Sequence, residues 1–106
     1  EFGSNIVNWN GQEESKKNLW QKQLHLFEVP FYYIEYGMAQ LGAIAVWRNF
    51  RKDPQKAIQD YKNALSLGYT RSIGEIYETA GIKFDFSQAY VSELMDFVKK
   101  EVEKTF

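Results

Sequence analysis

The chain has 106 residues, 44% of them hydrophobic and 17% aromatic, which suits a single domain with its own core rather than a disordered segment. Its 13 Lys and Arg residues and 14 Asp and Glu residues give a formal net charge of -1 at pH 7, so nucleic acid and anionic membrane surfaces are not expected partners. The sequence has no cysteine, which excludes disulfides, thiolate metal sites and a cysteine nucleophile, and favours a cytoplasmic location. No basic region precedes an apolar run near the N-terminus, so a secretory signal is not expected.

Residues 1–15 are rich in Asn, Gly and Glu with little periodicity, and we predict a loop or linker there. The first four residues, EFGS, are typical of a vector junction, although they can equally be native. The next segment, residues 16–27, has large apolar side chains at helical spacing, which predicts a helix. These apolar residues are Leu19, Trp20, Leu24 and Phe27. Pro30 disfavours the helical conformation at Val29 and suits the first turn of a second helix.

The second helix, predicted over residues 30–51, is apolar nearly all round, which indicates enclosure by other helices. Residues 29–47 also have about the length that spans a bilayer. Glu35 lies in the middle of that segment, however, and a carboxylate at the bilayer centre costs about 2.5 kcal/mol or more. We therefore predict a buried helix of a soluble protein. Gly37 and Gly42 indicate close packing, because a glycine inside an exposed helix costs about 1 kcal/mol relative to Ala.

Three further helices are predicted from their end signals. An N-cap followed by proline at the first helical position is found at Asp53 and Pro54, and Gly68 can close that helix through a left-handed cap. Residues 72–75, Ser-Ile-Gly-Glu, fit a capping box, and Gly81 marks the next helix end.

Residues 82–86 alternate between apolar and polar side chains but are too few to predict a strand. Asp85 or Ser87 can cap the last helix. The apolar stripe of that helix contains Tyr90, Val91, Leu94, Phe97 and Val98. About five helices with short connections predict an all-α domain.

His25 is the single histidine of the chain, and it cannot hold a metal by itself, because a metal site usually needs three or four protein ligands. Neither a His-x-x-x-His pair nor a tight cage of carboxylates accompanies it. A nucleophile elbow and a phosphate-binding glycine loop are absent from the sequence as well. Taken as an enzyme, the sequence is incomplete.

Tyr32, Tyr33 and Tyr36 are the other candidates for chemistry. Within a helix, Tyr36 shares a face either with Tyr32, four residues away, or with Tyr33, three residues away. Two phenols and an imidazole that converge can donate hydrogen bonds to a developing oxyanion. On composition alone, the stronger interpretation is that the tyrosines are core residues and that Glu35 pairs with a nearby Lys or Arg.

Three stretches of the sequence, at residues 20–43, 53–68 and 80–87, resemble in the same order the C-terminal part of the oligoendopeptidase F family of zinc-dependent oligopeptidases. The first is WQKQLHLFEVPFYYIEYGMAQLGA, over residues 20–43. The others are DPQKAIQDYKNALSLG, over residues 53–68, and AGIKFDFS, over residues 80–87. Residues 2–9 also resemble the segment that leads into this region, which favours EFGS as native sequence.

The resemblance implies an enzyme whose zinc is held by a His-Glu-x-x-His motif and a more distal Glu, none of which is in this sequence. The chain would then be the C-terminal helical part of the catalytic domain and supply the opposite wall of the cleft. In the family, a His and the tyrosines after it approach the scissile carbonyl and its tetrahedral intermediate. By position, these residues are His25, Tyr32 and Tyr36, and Tyr33 is a further residue that binds substrate.

The partners implied by the resemblance are short peptide substrates and the remainder of the catalytic domain. The isolated segment is expected to contain no zinc and to be inactive. It can also self-associate, because a large uncovered apolar patch tends to find a partner.

A helical interaction module of the tetratricopeptide-repeat type is the alternative. Residues 57–68, AIQDYKNALSLG, resemble one half of such a repeat. That architecture requires a second copy about 34 residues away, and the sequence does not contain one.

Overall fold

The computed structural model describes residues 6–105, and these are all-α, as the sequence predicts. Within this range there are six α-helices, one 3₁₀ turn and no strand. The prediction about EFGS concerns residues outside the described range. The chain divides into two compact units, one ending at Ile34 and the other beginning at Glu35.

In the first unit, three short pieces replace the single helix predicted over residues 16–27. They are α1 (Glu13–Lys17), a 3₁₀ turn (Leu19–Lys22) and α2 (His25–Glu28). Asn18 interrupts the helix, because its side-chain amide donates to the carbonyl oxygen of Glu14 at 3.0 Å and competes with the helical backbone. Gln23, with φ -86° and ψ 91°, is extended and separates the 3₁₀ turn from α2. Polar residues therefore break a segment whose apolar spacing alone would suit one helix.

The sequence predicts that the long helix begins at Pro30. In the structure this helix, α3 (Ile34–Lys52), begins only at Ile34. The chain first makes a turn in which the backbone N–H of Tyr32 donates to the carbonyl oxygen of Val29 at 3.2 Å. Phe31 has φ +64° in this turn. Proline followed by a positive φ is the pattern of a type II turn, whose third position favours Gly or Asn. Left-handed backbone cannot continue an α-helix, and at a bulky residue it costs about 1–2 kcal/mol.

In the second unit, the predicted end signals of the later helices are confirmed. These helices are α4 (Pro54–Ser66), α5 (Ile73–Thr79) and α6 (Gln88–Glu103). Asp53 caps α4, since its Oδ1 accepts a hydrogen bond from the backbone N–H of Lys56 at 3.0 Å. Gly68 and Gly81 follow α4 and α5 with φ +53° and +72°, the left-handed conformation expected at helix ends.

The capping box at the start of α5 is also confirmed. The backbone N–H of Glu75 donates to Ser72 Oγ at 3.4 Å, while Glu75 Oε2 accepts from the backbone N–H of Ser72 at 2.9 Å and from its hydroxyl at 2.7 Å. The side-chain hydroxyl and then the backbone N–H of Ser72 hold the pKa of the Glu75 carboxyl below its ordinary value.

Ser87, rather than Asp85, caps α6. The Ser87 hydroxyl oxygen accepts from the backbone N–H of Tyr90 at 3.3 Å. The carboxylate of Asp85 instead accepts from the backbone N–H of Ser87 at 2.8 Å, and this hydrogen bond is the main cause of a lowered pKa at Asp85. Both predicted capping residues therefore act at the start of α6. Ser87 caps the helix, and Asp85 accepts a hydrogen bond from Ser87.

The buried core cluster of the second unit is half alanine. Its buried residues are Ala45, Ala64, Ala80, Ile82, Tyr90 and Leu94. They come from α3, α4, the end of α5, the segment after α5, and α6. Alanine at a helix contact allows a short distance between helix axes. Two members of the predicted α6 stripe, Tyr90 and Leu94, are buried, and the other three are half-buried.

The C-terminal half of α3 also packs against α6 through ring and ionic contacts. The rings of Trp47 and Phe97 meet edge to face, with centroids 4.8 Å apart. Arg51 Nε lies 2.8 Å from Glu101 Oε2, and Lys104 donates to the same carboxylate. The hydrogen bond from Lys104, with a smaller contribution from Arg51, lowers the pKa of Glu101.

The prediction that α3 is enclosed on all sides is wrong for this chain. Gly42 and Ala45 are its buried residues, whereas Ile34 and Tyr36 in its first turn are 63% and 52% exposed. The helices of the second unit cover the middle of α3 and leave apolar side chains of its first turn at the surface. No helix within residues 6–105 combines the length and apolarity needed to cross a bilayer.

Gly42 and Gly37 of α3 have different surroundings, although the sequence suggests the same role for both. A Cβ on Gly42 would lie 2.9 Å from the hydroxyl oxygen of Tyr77, which donates to the carbonyl oxygen of Met38 at 3.2 Å. The ring of Tyr77 also packs edge to face on Phe84, at 5.1 Å between centroids. A Cβ on Gly37 would meet nothing within 4 Å. The prediction of close packing is therefore confirmed at Gly42 and wrong at Gly37.

These two glycines provide a matched pair of variants. Gly42→Ala is expected to lower the free energy of unfolding by about 1–3 kcal/mol relative to Gly37→Ala, because the new methyl group must displace the Tyr77 ring. Gly37→Ala itself is expected to stabilise the chain by about 0.5–1 kcal/mol through helix propensity. Urea unfolding of the purified 106-residue chain measures both values. Equal stabilities of the two variants would contradict the close approach of Tyr77 to α3.

The capping box predicts a pH-dependent contribution to stability. Ser72→Ala is expected to lower the free energy of unfolding by about 1 kcal/mol at neutral pH and to raise the pKa of Glu75. Because the pKa of Glu75 is depressed in the folded chain, its contribution is present above the ordinary glutamate pKa and is lost as pH falls through the folded value. NMR titration of the Glu75 carboxyl and unfolding at several pH values test this. A Glu75 pKa that is the same in both proteins would refute the capping hydrogen bond.

Candidate functional site

His25 and two of the predicted tyrosines lie together in the first unit. His25 is the first residue of the one-turn helix α2, and its carbonyl oxygen accepts from the backbone N–H of Val29 at 3.2 Å. Its imidazole lies parallel to the ring of Tyr32, with 6.1 Å between centroids and 7° between planes. The ring of Tyr33 lies 6.0 Å from the imidazole at 53°. One imidazole thus has phenol rings from two successive residues as neighbours.

The turn after α2 produces this arrangement. Pro30 and the left-handed Phe31 reverse the chain, so that Tyr32 and Tyr33 follow at once and return toward the start of α2. A continuous helix from Pro30 would have separated the Tyr32 and Tyr33 side chains by about 100°. In the turn, both rings instead lie about 6 Å from the same imidazole.

Tyr36 lies in the first turn of α3, in the second unit, and its side chain is 52% exposed. The sequence argument that pairs Tyr32 with Tyr36 assumes one helix through both residues. That reason is wrong, because Tyr32 and Tyr33 precede α3. Helical spacing therefore gives no reason to choose Tyr32 rather than Tyr33 as the partner of Tyr36.

The polar groups of the cluster are hydrogen-bond donors. A tyrosine hydroxyl donates one hydrogen bond and can accept others, and an imidazole presents an N–H on at least one ring nitrogen. Tyr32 and Tyr33 are 41% and 40% exposed, and His25 is half-buried. Donors of this kind can bind a peptide carbonyl oxygen and stabilise negative charge that develops on it.

The described residues do not fit a metal site of their own. Within residues 6–105, no group of three or more His, Cys, Asp or Glu side chains is arranged to hold a metal ion. His25 has aromatic neighbours on two sides, and these phenol rings are not the usual ligands of zinc.

Phe31 is the residue at this site that sequence reasoning misses. Its side chain is 94% exposed, and its backbone has the one positive φ found outside glycine in the described residues. The Pro30-Phe31 pair contains half of the type II turn signal, because proline occupies the second position. The third position lacks the Gly or Asn that would have completed the signal, so the sequence pattern favours a helix start instead.

A sequence model of Peptidase family M3 matches residues 6–96, more than four fifths of the chain. No curated protein sequence and no solved structure matches the chain. The matched range contains the histidine–tyrosine cluster and most of the helices described above. The chain therefore belongs to peptidase family M3, a family of metallopeptidases.

Proposed function

We propose that residues 1–106 are the C-terminal helical part of the catalytic domain of a cytoplasmic, zinc-dependent peptidase of the oligoendopeptidase F type, which hydrolyses short peptides. The observation that carries the proposal is the packing of Tyr32 and Tyr33 against His25, at 6.1 and 6.0 Å. The family match and the order of the three resembling stretches support it.

In this proposal, His25, Tyr32 and Tyr36 donate hydrogen bonds to the scissile carbonyl oxygen as it gains negative charge. Tyr33 binds the substrate next to them. Donors of this kind act best when they are already oriented, because no reorganisation is then needed during the reaction. The parallel ring of Tyr32 and the tilted ring of Tyr33 limit the orientations of the His25 imidazole. This packing supports His25 as a preorganised donor.

In the proposed enzyme, zinc would be held by residues outside this chain. When bound, zinc supplies Lewis-acid activation of the carbonyl and of water. The chain's own contribution is to bind and orient the peptide and to donate hydrogen bonds to its carbonyl oxygen.

The apolar surface of the chain suits a segment that is covered in its full-length parent. Side chains exposed by 55% or more include Trp20, Leu24, Phe27 and Ile34. We propose that the remainder of the catalytic domain covers part of this surface, and that the isolated segment self-associates through it.

Tyr36→Phe in the full-length parent tests the donor role. Loss of one such donor is expected to lower kcat by about 100 to 1000-fold, because the lost hydrogen bond acts mainly in the transition state. Zinc content should stay unchanged, as measured by metal analysis of the same preparation. Tyr61→Phe, which removes the hydroxyl of an exposed tyrosine on α4, is the matched control and should retain full activity. An unaltered kcat in Tyr36→Phe would end the oxyanion role.

Metal analysis of the purified 106-residue chain is the second test. We expect less than stoichiometric zinc after equilibration with the metal, and no hydrolysis of short peptides, because the chain has a single histidine. Stoichiometric zinc together with peptidase activity would show that the metal site is on this chain and would refute its assignment to another part of the enzyme.

The tetratricopeptide-repeat alternative predicts a different sequence upstream of residue 1. Sequencing the gene would reveal a His-Glu-x-x-His motif for the peptidase, or repeated helix pairs for the module. The family match over residues 6–96 favours the peptidase, because it extends well beyond the one half-repeat at residues 57–68.

A further inference from the structure

Phe31 combines two unfavourable features. Its backbone is left-handed, a conformation that L residues with large side chains rarely adopt, and its ring is 94% exposed to water. Glycine would satisfy the same turn without steric conflict. A bulky aromatic at such a position is a reason to look for a ligand that contacts it.

A recess lies beside this ring, entirely within the first unit. It has a volume of about 290 Å³ and is lined by His25, Leu26, Val29, Phe31, Tyr33 and Ile34. Most of its surface is carbon, contributed by three aliphatic side chains and the rings. Two of its lining residues, His25 and Tyr33, also belong to the ring cluster of the candidate site. An apolar recess and a set of hydrogen-bond donors therefore share one edge.

We propose that this recess binds an apolar side chain of the peptide substrate, and that Phe31 is the residue that determines this preference. The proposal rests on the proposed peptidase function. A peptide whose carbonyl oxygen is bound by the donors has a neighbouring side chain within reach of the recess, since His25 and Tyr33 belong to both. Leu or Phe in the recess would be removed from water by aliphatic and aromatic surface, which is the main source of affinity for such a group.

The remainder of the catalytic domain is the other candidate occupant of the recess. The donors argue against it, because a protein segment that filled the recess would lie against His25 and Tyr33, which the peptide must reach. The two occupants differ in a measurable way. If a substrate side chain occupies the recess, substitution of Phe31 changes the selectivity of the enzyme. If a covering segment occupies it, the same substitution lowers the stability of the whole enzyme.

The test uses the intact enzyme and two peptides that differ only at one residue next to the scissile bond, Leu in one and Ala in the other. For the position that occupies the recess, the wild type is expected to prefer Leu by about 10 to 100-fold in kcat/KM. Phe31→Gly should reduce this preference to less than about threefold, mainly through a higher KM for the Leu peptide. The Ala peptide should be hydrolysed as before.

Three controls make the result specific to the Phe31 side chain. Gly is compatible with the left-handed turn, so Phe31→Gly is expected to fold with an unchanged melting temperature. Phe31→Leu retains an apolar side chain and should keep most of the preference. Tyr69→Ser removes an aromatic ring that is fully exposed elsewhere on the chain, and it should leave the preference unchanged.

Binding to zinc-stripped enzyme gives a readout that does not depend on catalysis. Calorimetric titration with the Leu peptide should show about 10-fold weaker binding to Phe31→Gly than to the wild type, and the Ala peptide should bind both proteins equally. A Phe31→Gly enzyme with unchanged selectivity and affinity would overturn the recess proposal, and a lowered melting temperature would then identify a covering segment.

The two proposals can fail separately. An unaffected kcat in Tyr36→Phe contradicts the donor role whatever Phe31 does. A lowered kcat in Tyr36→Phe with normal selectivity in Phe31→Gly contradicts the recess proposal alone.

Discussion

The arrangement of the candidate site depends on one backbone conformation, the positive φ of Phe31. The turn it forms with Pro30 ends the one-turn helix α2 and delays the start of α3. It also presents Tyr32 and Tyr33 to the same imidazole, although adjacent side chains in a helix would point apart. The helix therefore does not start at Pro30, although proline favours that position. The turn instead brings His25, Tyr32 and Tyr33 together, which a continuous α-helix could not do. Unfavourable local geometry of this sort is often found at functional sites.

Helix ends were the most predictable part of the fold, because their signals are local. Asp53, Ser72 and Ser87 cap their helices with hydrogen bonds to backbone groups only three residues away. Such an interaction needs no information about distant parts of the chain. The segment around Asn18 was harder to predict, since an apolar spacing typical of one helix competes there with hydrogen bonds from a polar side chain to the backbone.

The sequence suggests residues for the candidate site but does not predict their geometry. The resemblance identified His25, Tyr32, Tyr33 and Tyr36 as candidates, and three of these four lie together in the first unit. Helical spacing gave the wrong reason for grouping them, because it assumed a helix across the turn. The turn at Phe31 could not be predicted, because a positive φ is improbable for a phenylalanine. The same limitation applies to the glycines of α3, because only the position of the Tyr77 ring distinguishes Gly42 from Gly37.

The contact of Tyr77 with α3 has a consequence for Tyr36, which lies on the same helix. Its hydroxyl meets α3 at Met38 and Gly42, and burial raises its pKa, so it remains a neutral donor across the neutral pH range. Tyr36 lies six residues before Gly42 on the same helix, which is about 9 Å along its axis. A tilt of α3 by about 6° around the Tyr77 contact would therefore move Tyr36 by about 1 Å, a displacement that would weaken the hydrogen bond proposed for its hydroxyl. Substitutions at the α3–Tyr77 contact, in the interior of the second unit, would therefore change the position of Tyr36.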